Sequence, residues 1–168
     1  MKQSRFAAVI LAAGSGTRMK SVTPKVMHPI AGRPMITYPL EALRPLSPAA
    51  TLVVIGPRME DVAAIVAPAE SVVQDPPLGT GDAVRTAMRA LDGRLAPHGS
   101  IEDVLVLYGD TPFLATQTLS RLLAERRSTA AAVLVSGMRP TDPGPSGVTL
   151  APPAAWRRRS SRPRGGGR

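Results

Sequence analysis

The chain has 168 residues, 43% of them hydrophobic, which is enough for one domain with a core of its own. It contains no cysteine, which excludes disulfides and thiolate metal centres, and no apolar run reaches membrane-spanning length. The formal charge of +9 suggests nucleic acid, but six of the cations are Arg157, Arg158, Arg159, Arg162, Arg164 and Arg168; residues 1–155 hold 15 cations against 12 anions, so only the tail is strongly basic.

The N-terminus leads directly into a strand and lacks a signal-peptide pattern, so a soluble cytoplasmic protein is expected. Phe6–Ala12 is a continuous apolar run of a length suited to a buried parallel strand. A loop over Ala13–Pro24 follows, then the short apolar stretch Val26–Ile30 and a turn at Ala31–Pro34 that ends in a proline at a helix start. Met35–Leu43 has helical periodicity, with Pro39 predicting a kink or a late start. Thr51–Ile55 reads as a second strand, Met59–Val66 as a short helix, and Ser71–Gln74 as a third strand. Ala83, Ala87, Ala90 and Leu91 repeat at helical spacing in a segment opened by Gly79–Asp82. After a loop over Gly93–Ser100, Asp103–Tyr108 is a fourth strand, Thr116–Arg127 a helix, and Ala130–Val135 a fifth strand. Alternating strands and helices of these lengths predict an α/β fold, a parallel sheet covered by helices on both faces, with the loops after the strands along one edge.

Three of those loops carry chemistry. Ala12, Ala13, Gly14, Ser15 and Gly16 are small enough for a backbone to approach a ligand, and their amides suit phosphate. Arg18 and Lys25 add two cations, so a polyanion is the expected guest. Met19 stands where a dinucleotide fingerprint needs its third glycine, and no Walker A lysine follows. Asp110 directly follows a hydrophobic strand; beside a triphosphate such a carboxylate holds magnesium, and otherwise it is a turn or cap aspartate. Gln74 precedes Leu78-Gly79-Thr80-Gly81, which is either a ligand loop or a helix-capping turn. His28 is read as structural, and His98 is assigned no role.

The run Leu11-Ala12-Ala13-Gly14-Ser15-Gly16-Thr17-Arg18-Met19 with Pro24-Lys25 resembles the signature loop of nucleotidyltransferases, L-A-A-G-x-G-T-R-M followed by P-K. Tyr108-Gly109-Asp110-Thr111-Pro112-Phe113 is similar to the Y-G-D-x-P-L segment of bacterial N-acetylglucosamine-1-phosphate uridyltransferases, and Gln74 with Leu78–Gly81 to their Q-x-x-x-L-G-T-G-H-A. Pro24–His28 matches their P-K-V-L-H. The resemblance covers residues 5–151 and implies a Rossmann-like nucleotidyltransferase domain, incomplete at its C-terminus. It implies transfer of uridylyl from UTP to N-acetylglucosamine 1-phosphate with Mg2+, in the route to UDP-N-acetylglucosamine and the cell wall. By the same resemblance Arg18 and Lys25 are catalytic and neutralise phosphates. Leu11, Ala12, Ala13, Gly14, Lys25, Gln74, Gly79, Thr80, Tyr108, Gly109 and Asp110 bind the nucleotide, Asp110 holds the metal, and Gly147 meets the sugar substrate. Gln74, offering a donor and an acceptor, and the Gly79-Thr80 backbone meet the uracil edge. Asp82 departs from the family, which has histidine there.

The family pattern blurs over Ser146–Pro152, so the domain boundary is set at residue 151 and residues 152–168 are read as a disordered basic tail. One permitted back-translation of Trp156–Pro163, read in a shifted frame, gives Leu-Glu-Ala-Ala-Ile-Val-Glu-Ala, similar to the family's missing I-V-E segment. A frameshifted, shortened member with little activity is therefore expected, lacking the trimerising acetyltransferase half. No membrane partner is expected, and nucleic acid only non-specifically through the tail. The alternatives are another nucleotidyltransferase, such as one acting on a different sugar phosphate or guanylylating the molybdenum cofactor, and a non-catalytic nucleotide-binding module. Thr17 and the Pro24-Lys25 spacing count against the molybdenum-cofactor group.

Overall fold

The computed structural model describes residues 6–14, 16, 19, 21, 23–92, 101–129 and 131–137. Among these residues four parallel strands form the central sheet in the order β5-β4-β1-β6: β1 is Phe6–Leu11, β4 Ala50–Ile55, β5 Glu70–Val73 and β6 Asp103–Tyr108. Ala7 to Leu11 pair in register with Ala50 to Val54 on one side and with Val104 to Tyr108 on the other. β1 is therefore flanked on both edges and covered on both faces, which is why its sequence is an unbroken apolar run rather than an alternating one.

The alternation survives as a division between two cores. Phe6, Ala8 and Ile10 join Leu43 of α1 (Thr37–Leu43), Val62 and Val66 of α2 (Glu60–Val66) and Leu119 of α4 (Thr116–Thr129). Ala7 and Val9 face the other way, with Leu52, Val54 and the Ala83, Ala87, Leu91 stripe of α3 (Thr80–Asp92). Small alanines on that stripe let α3 lie close to the sheet. On β6 only the first face is filled, by Leu105 and Leu107; Val104, Val106 and Tyr108 remain partly exposed. Ile65 lies on the outer side of α2.

The predicted strands at 51–55, 71–74 and 103–108 and the helices at 59–66, 79–91 and 116–127 match the observed elements to within two residues at each end. Two expectations fail. Ala31–Pro34 is not a lead-in to a helix. Arg33–Pro34 (β3) turns back on Pro29–Ile30 (β2) as an antiparallel pair, with Ala31 and Gly32 both at positive φ in the turn between them. α1 then starts late, at Thr37. That places Pro39 in its first turn, where the missing N–H has no intrahelical acceptor to lose, so no kink is needed. The fifth strand expected over 130–135 is also absent among the described residues: 131–137 joins no ladder, and Val133 and Val135 are exposed. Valine-rich composition favours a strand only where neighbours supply a surface to pack on. Helix α4 is the last regular element described. No helix among the described residues is long and apolar enough to cross a membrane.

Candidate functional site

β1 is followed in sequence by β4 and β5 on one side of it, and the chain then returns through α3 to place β6 on the other. This reversal opens a crevice at the carboxyl ends of the strands, where ligands of open α/β sheets bind. Backbone hydrogen bonds tie the strand ends together there: Gly109 N–H donates to Leu11 O at 2.9 Å, Ala12 N–H to Val54 O at 2.8 Å, and Gln74 N–H to Ile55 O at 2.8 Å. The result is an open cleft of about 280 Å³.

The cleft collects Leu11, Ala12, Ala13, Gly14, Lys25, Gln74, Gly79, Thr80, Tyr108 and Asp110, ten of the residues named from the sequence motifs. Gly16, of the same small-residue loop, lines it as well, and so do Val26, Pro77 and Ala83, which were not expected to meet a ligand. Ala83 could have been found, since it adjoins the Gly79–Gly81 motif and a small residue there keeps the cleft open. Arg18, Gly147, His98 and the tail from residue 152 lie outside the described residues. His28 does not line the cleft; its Nε2 is buried without a hydrogen-bond partner among the described residues.

Gly109 is not in the cleft wall, and its part is steric. A Cβ there would lie 2.7 Å from Ile36 Cδ1, 3.1 Å from Val26 Cγ1 and 3.2 Å from Leu11 O. Only a bare backbone lets β6 run straight into Asp110 against β1. Gly109→Ala is expected to lower stability by about 1–3 kcal/mol in denaturant unfolding. Gly81→Ala, where an added methyl meets open space, should not lower it. The approach at Gly16 is equally close: its φ is +61°, and a Cβ would stand 2.9 Å from Lys25 Cβ. The first loop therefore packs against the backbone that carries Lys25.

Lys25 and Asp110 meet across the cleft floor, with Nζ donating to Oδ2 at 2.6 Å. Both side chains are partly exposed, so the pair adds at most about 1 kcal/mol to stability. Its interest is chemical: a mobile ammonium and a carboxylate sit at one point, and each can exchange its partner for part of a ligand. Among the described residues no three His, Cys, Asp or Glu side chains cluster to hold a metal. One carboxylate does fit a cation such as Mg2+ that keeps water and phosphate oxygens as its other ligands.

At the other end of the cleft, Gln74 is 3% exposed and its side chain is fully directed. Nε2 donates to Gly79 O at 3.1 Å and to Asp82 Oδ2 at 2.8 Å. Both amide hydrogens are consumed, so the expectation that Gln74 would offer a ligand a donor as well as an acceptor is corrected: Oε1 alone is left. Asp82 also pairs with Arg85. The hydrogen bond from Gln74, then the Arg85 guanidinium, hold the Asp82 carboxyl below the ordinary carboxylate range. The contribution of that shift to stability is present above the ordinary carboxylate range and is lost as pH falls through the lowered value. Beside Gln74, the first-turn N–H groups of α3 lack intrahelical acceptors and bring the positive end of the helix dipole to the cleft.

Residues 8–163 match the model of the MobA-like NTP transferase domain. Among curated relatives, the bifunctional protein GlmU of Paramagnetospirillum magneticum is 52% identical over 148 residues, covering 86% of this chain and 31% of the relative. That of Rhodospirillum rubrum is 49% identical over 152 residues, covering 90% and 33%. The chain thus spans about a third of the length of these relatives. The fold is shared with the homologue of Mycobacterium tuberculosis Rv0371c from Mycobacterium sp. strain JC1, with a TM-score of 0.61 at 24% identity, covering 74% of this chain and 61% of that one. The nucleotidyltransferase expectation drawn from the Gly14 loop therefore holds, and the chain belongs to the family of MobA-like NTP transferase domains.

Proposed function

We propose that this chain forms the nucleotide-binding part of an enzyme that transfers uridylyl from UTP to N-acetylglucosamine 1-phosphate, giving UDP-N-acetylglucosamine and pyrophosphate. The observation that carries the reading is the cleft itself: three loops, each following a different strand, bring a glycine backbone, a Lys–Asp pair and a buried, oriented amide to one crevice. Gly14 and its neighbours would take the phosphates on backbone N–H groups. Lys25 would leave Asp110 for the triphosphate, and Asp110 would accept the divalent cation, Mg2+, that accompanies it. The cation, when bound, neutralises charge developing on the phosphoryl oxygens. Gln74 and the Gly79-Thr80 backbone would meet the base, Tyr108 would border the nucleoside, and Arg18 would neutralise phosphate from the first loop.

In the transfer a phosphate oxygen of the sugar phosphate forms a bond to the α-phosphorus, the bond from that phosphorus to the α,β-bridging oxygen breaks, and pyrophosphate leaves. Positioning and charge neutralisation account for most of the catalysis in such a step. The test is calorimetric titration with UTP, CTP, ATP and GTP in Mg2+, followed by pyrophosphate release with a panel of sugar phosphates. UTP is expected to bind at least about tenfold more tightly than ATP, as one correctly matched buried hydrogen-bond set implies. Equal or tighter binding of ATP would remove the uracil assignment while leaving the nucleotidyltransferase site in place.

A further inference from the structure

We infer that Asp82, which lies outside the cleft lining, is a positioning residue for base selection: it fixes the Gln74 amide so that only a carbonyl oxygen faces the nucleobase. The inference rests on the uridine-nucleotide reading and adds to it a residue acting one step behind the contact surface.

An amide side chain is nearly symmetric in shape and can present either end to a ligand. What decides is the set of groups behind it. Here Gly79 O stands 3.1 Å and Asp82 Oδ2 2.8 Å from Nε2. Turning the amide over would set Oε1 against two acceptors, one of them an anion, in a side chain that is 3% exposed. A backbone carbonyl alone would disfavour that flip by one contact. The carboxylate makes it prohibitive, because an ionised carboxyl has no donor to offer in return. Arg85 pairs with the other oxygen of the same carboxylate, Oδ1.

The outward face of this arrangement is an acceptor beside the N–H donors at the start of α3. A base edge that complements it carries a donor flanked by an acceptor. Uracil does so with N3–H and a neighbouring carbonyl. Cytosine carries its donor one position away, on N4, and a lone pair on N3, so a ring seated with N3 toward Oε1 sets that lone pair against those of Oε1 in a partly desolvated site. Asp82 thus separates two pyrimidines that differ little in size, using the position of one hydrogen. Asparagine at residue 82 would keep the shape but could either accept from Nε2 or donate to Oε1, releasing the amide to turn.

The experiment measures UTP and CTP affinities in Mg2+ by calorimetry for the unaltered chain, Asp82→Asn and Arg85→Ala. In the unaltered chain UTP should be favoured by about tenfold or more, and Asp82→Asn should cut that ratio by at least about fivefold, the scale of one mismatched buried hydrogen bond. Arg85→Ala should leave the ratio within about twofold, since the carboxylate remains. Should Asp82→Asn weaken both nucleotides equally, or leave the ratio unchanged, the inference is overturned while the nucleotide site stands. Failure of the unaltered chain to bind either nucleotide overturns the functional reading, and the inference with it. A measurement on the unaltered protein covers the case in which the variant does not fold: the Gln74 side-chain NH2 resonances should be shifted and slow to exchange. Resonances like those of a free glutamine amide would overturn the orientation argument directly.

Discussion

Asp110→Asn should weaken Mg2+-dependent binding of UTP by about 10–100-fold, the range lost when a charge-assisted contact is replaced by a neutral one. The substitution keeps the shape of the side chain and removes the charge. Two consequences combine. The cation loses its anionic ligand, and Lys25, now without its 2.6 Å partner, is free to bind phosphate even when no cation is present. The Mg2+ dependence should therefore flatten as affinity falls: UTP binding with and without Mg2+ should converge in the variant and differ in the unaltered chain. Asp61→Asn, an exposed position in the first turn of α2, is the control and should leave both numbers unchanged. A full Mg2+ effect in Asp110→Asn would place the cation elsewhere.

Ile10→Ala should damage the fold strongly. Ile10 is fully buried near the carboxyl end of β1, on the face packed by α1, α2 and α4. Truncation removes buried apolar surface and leaves a cavity that paired neighbours cannot close, because β1 is held in register by strands on both sides. The cost for such a site is about 2–5 kcal/mol, a large share of the 5–15 kcal/mol that typically holds a domain together. Urea unfolding should show the midpoint falling accordingly. Ile65→Ala, on the exposed side of α2, should change it by no more than about 0.5 kcal/mol. Similar losses at the two positions would contradict the burial pattern.

Much of the fold could be read because the central strands are buried on both faces. Runs such as Phe6–Leu11 and Ala50–Ile55 then stand out without any need for alternation. The β2–β3 hairpin could not be read in this way, since two-residue strands have no period and Pro34 carries an equally good signal for a helix start. Residues 131–137 show the opposite error, strand composition without a ladder. In the site, Gln74, Lys25 and Asp110 were each recognisable from their motifs. What they do to one another was not. The Lys25–Asp110 pair joins positions 85 residues apart, and the direction of the Gln74 amide depends on two acceptors that only the start of α3 brings behind it. At Asp82 the sequence showed a departure from the family pattern; its partners show what the departure is bonded to.

The order of the strands also bears on how the chain reaches this state. β1 is made first yet sits in the middle, and its outer neighbour is supplied only when Asp103 and the residues after it arrive to pair with Phe6 and beyond. Loops of that length must close before the pairing returns any free energy, which places the fold among the slower, topologically complex ones. Throughout that interval Phe-Ala-Ala-Val-Ile-Leu is an uncharged apolar strand with an open edge, the kind of segment that pairs with other chains when its own partner is late. The arrangement that gathers the site at the sheet centre thus makes the first strand synthesised the one that waits longest for protection.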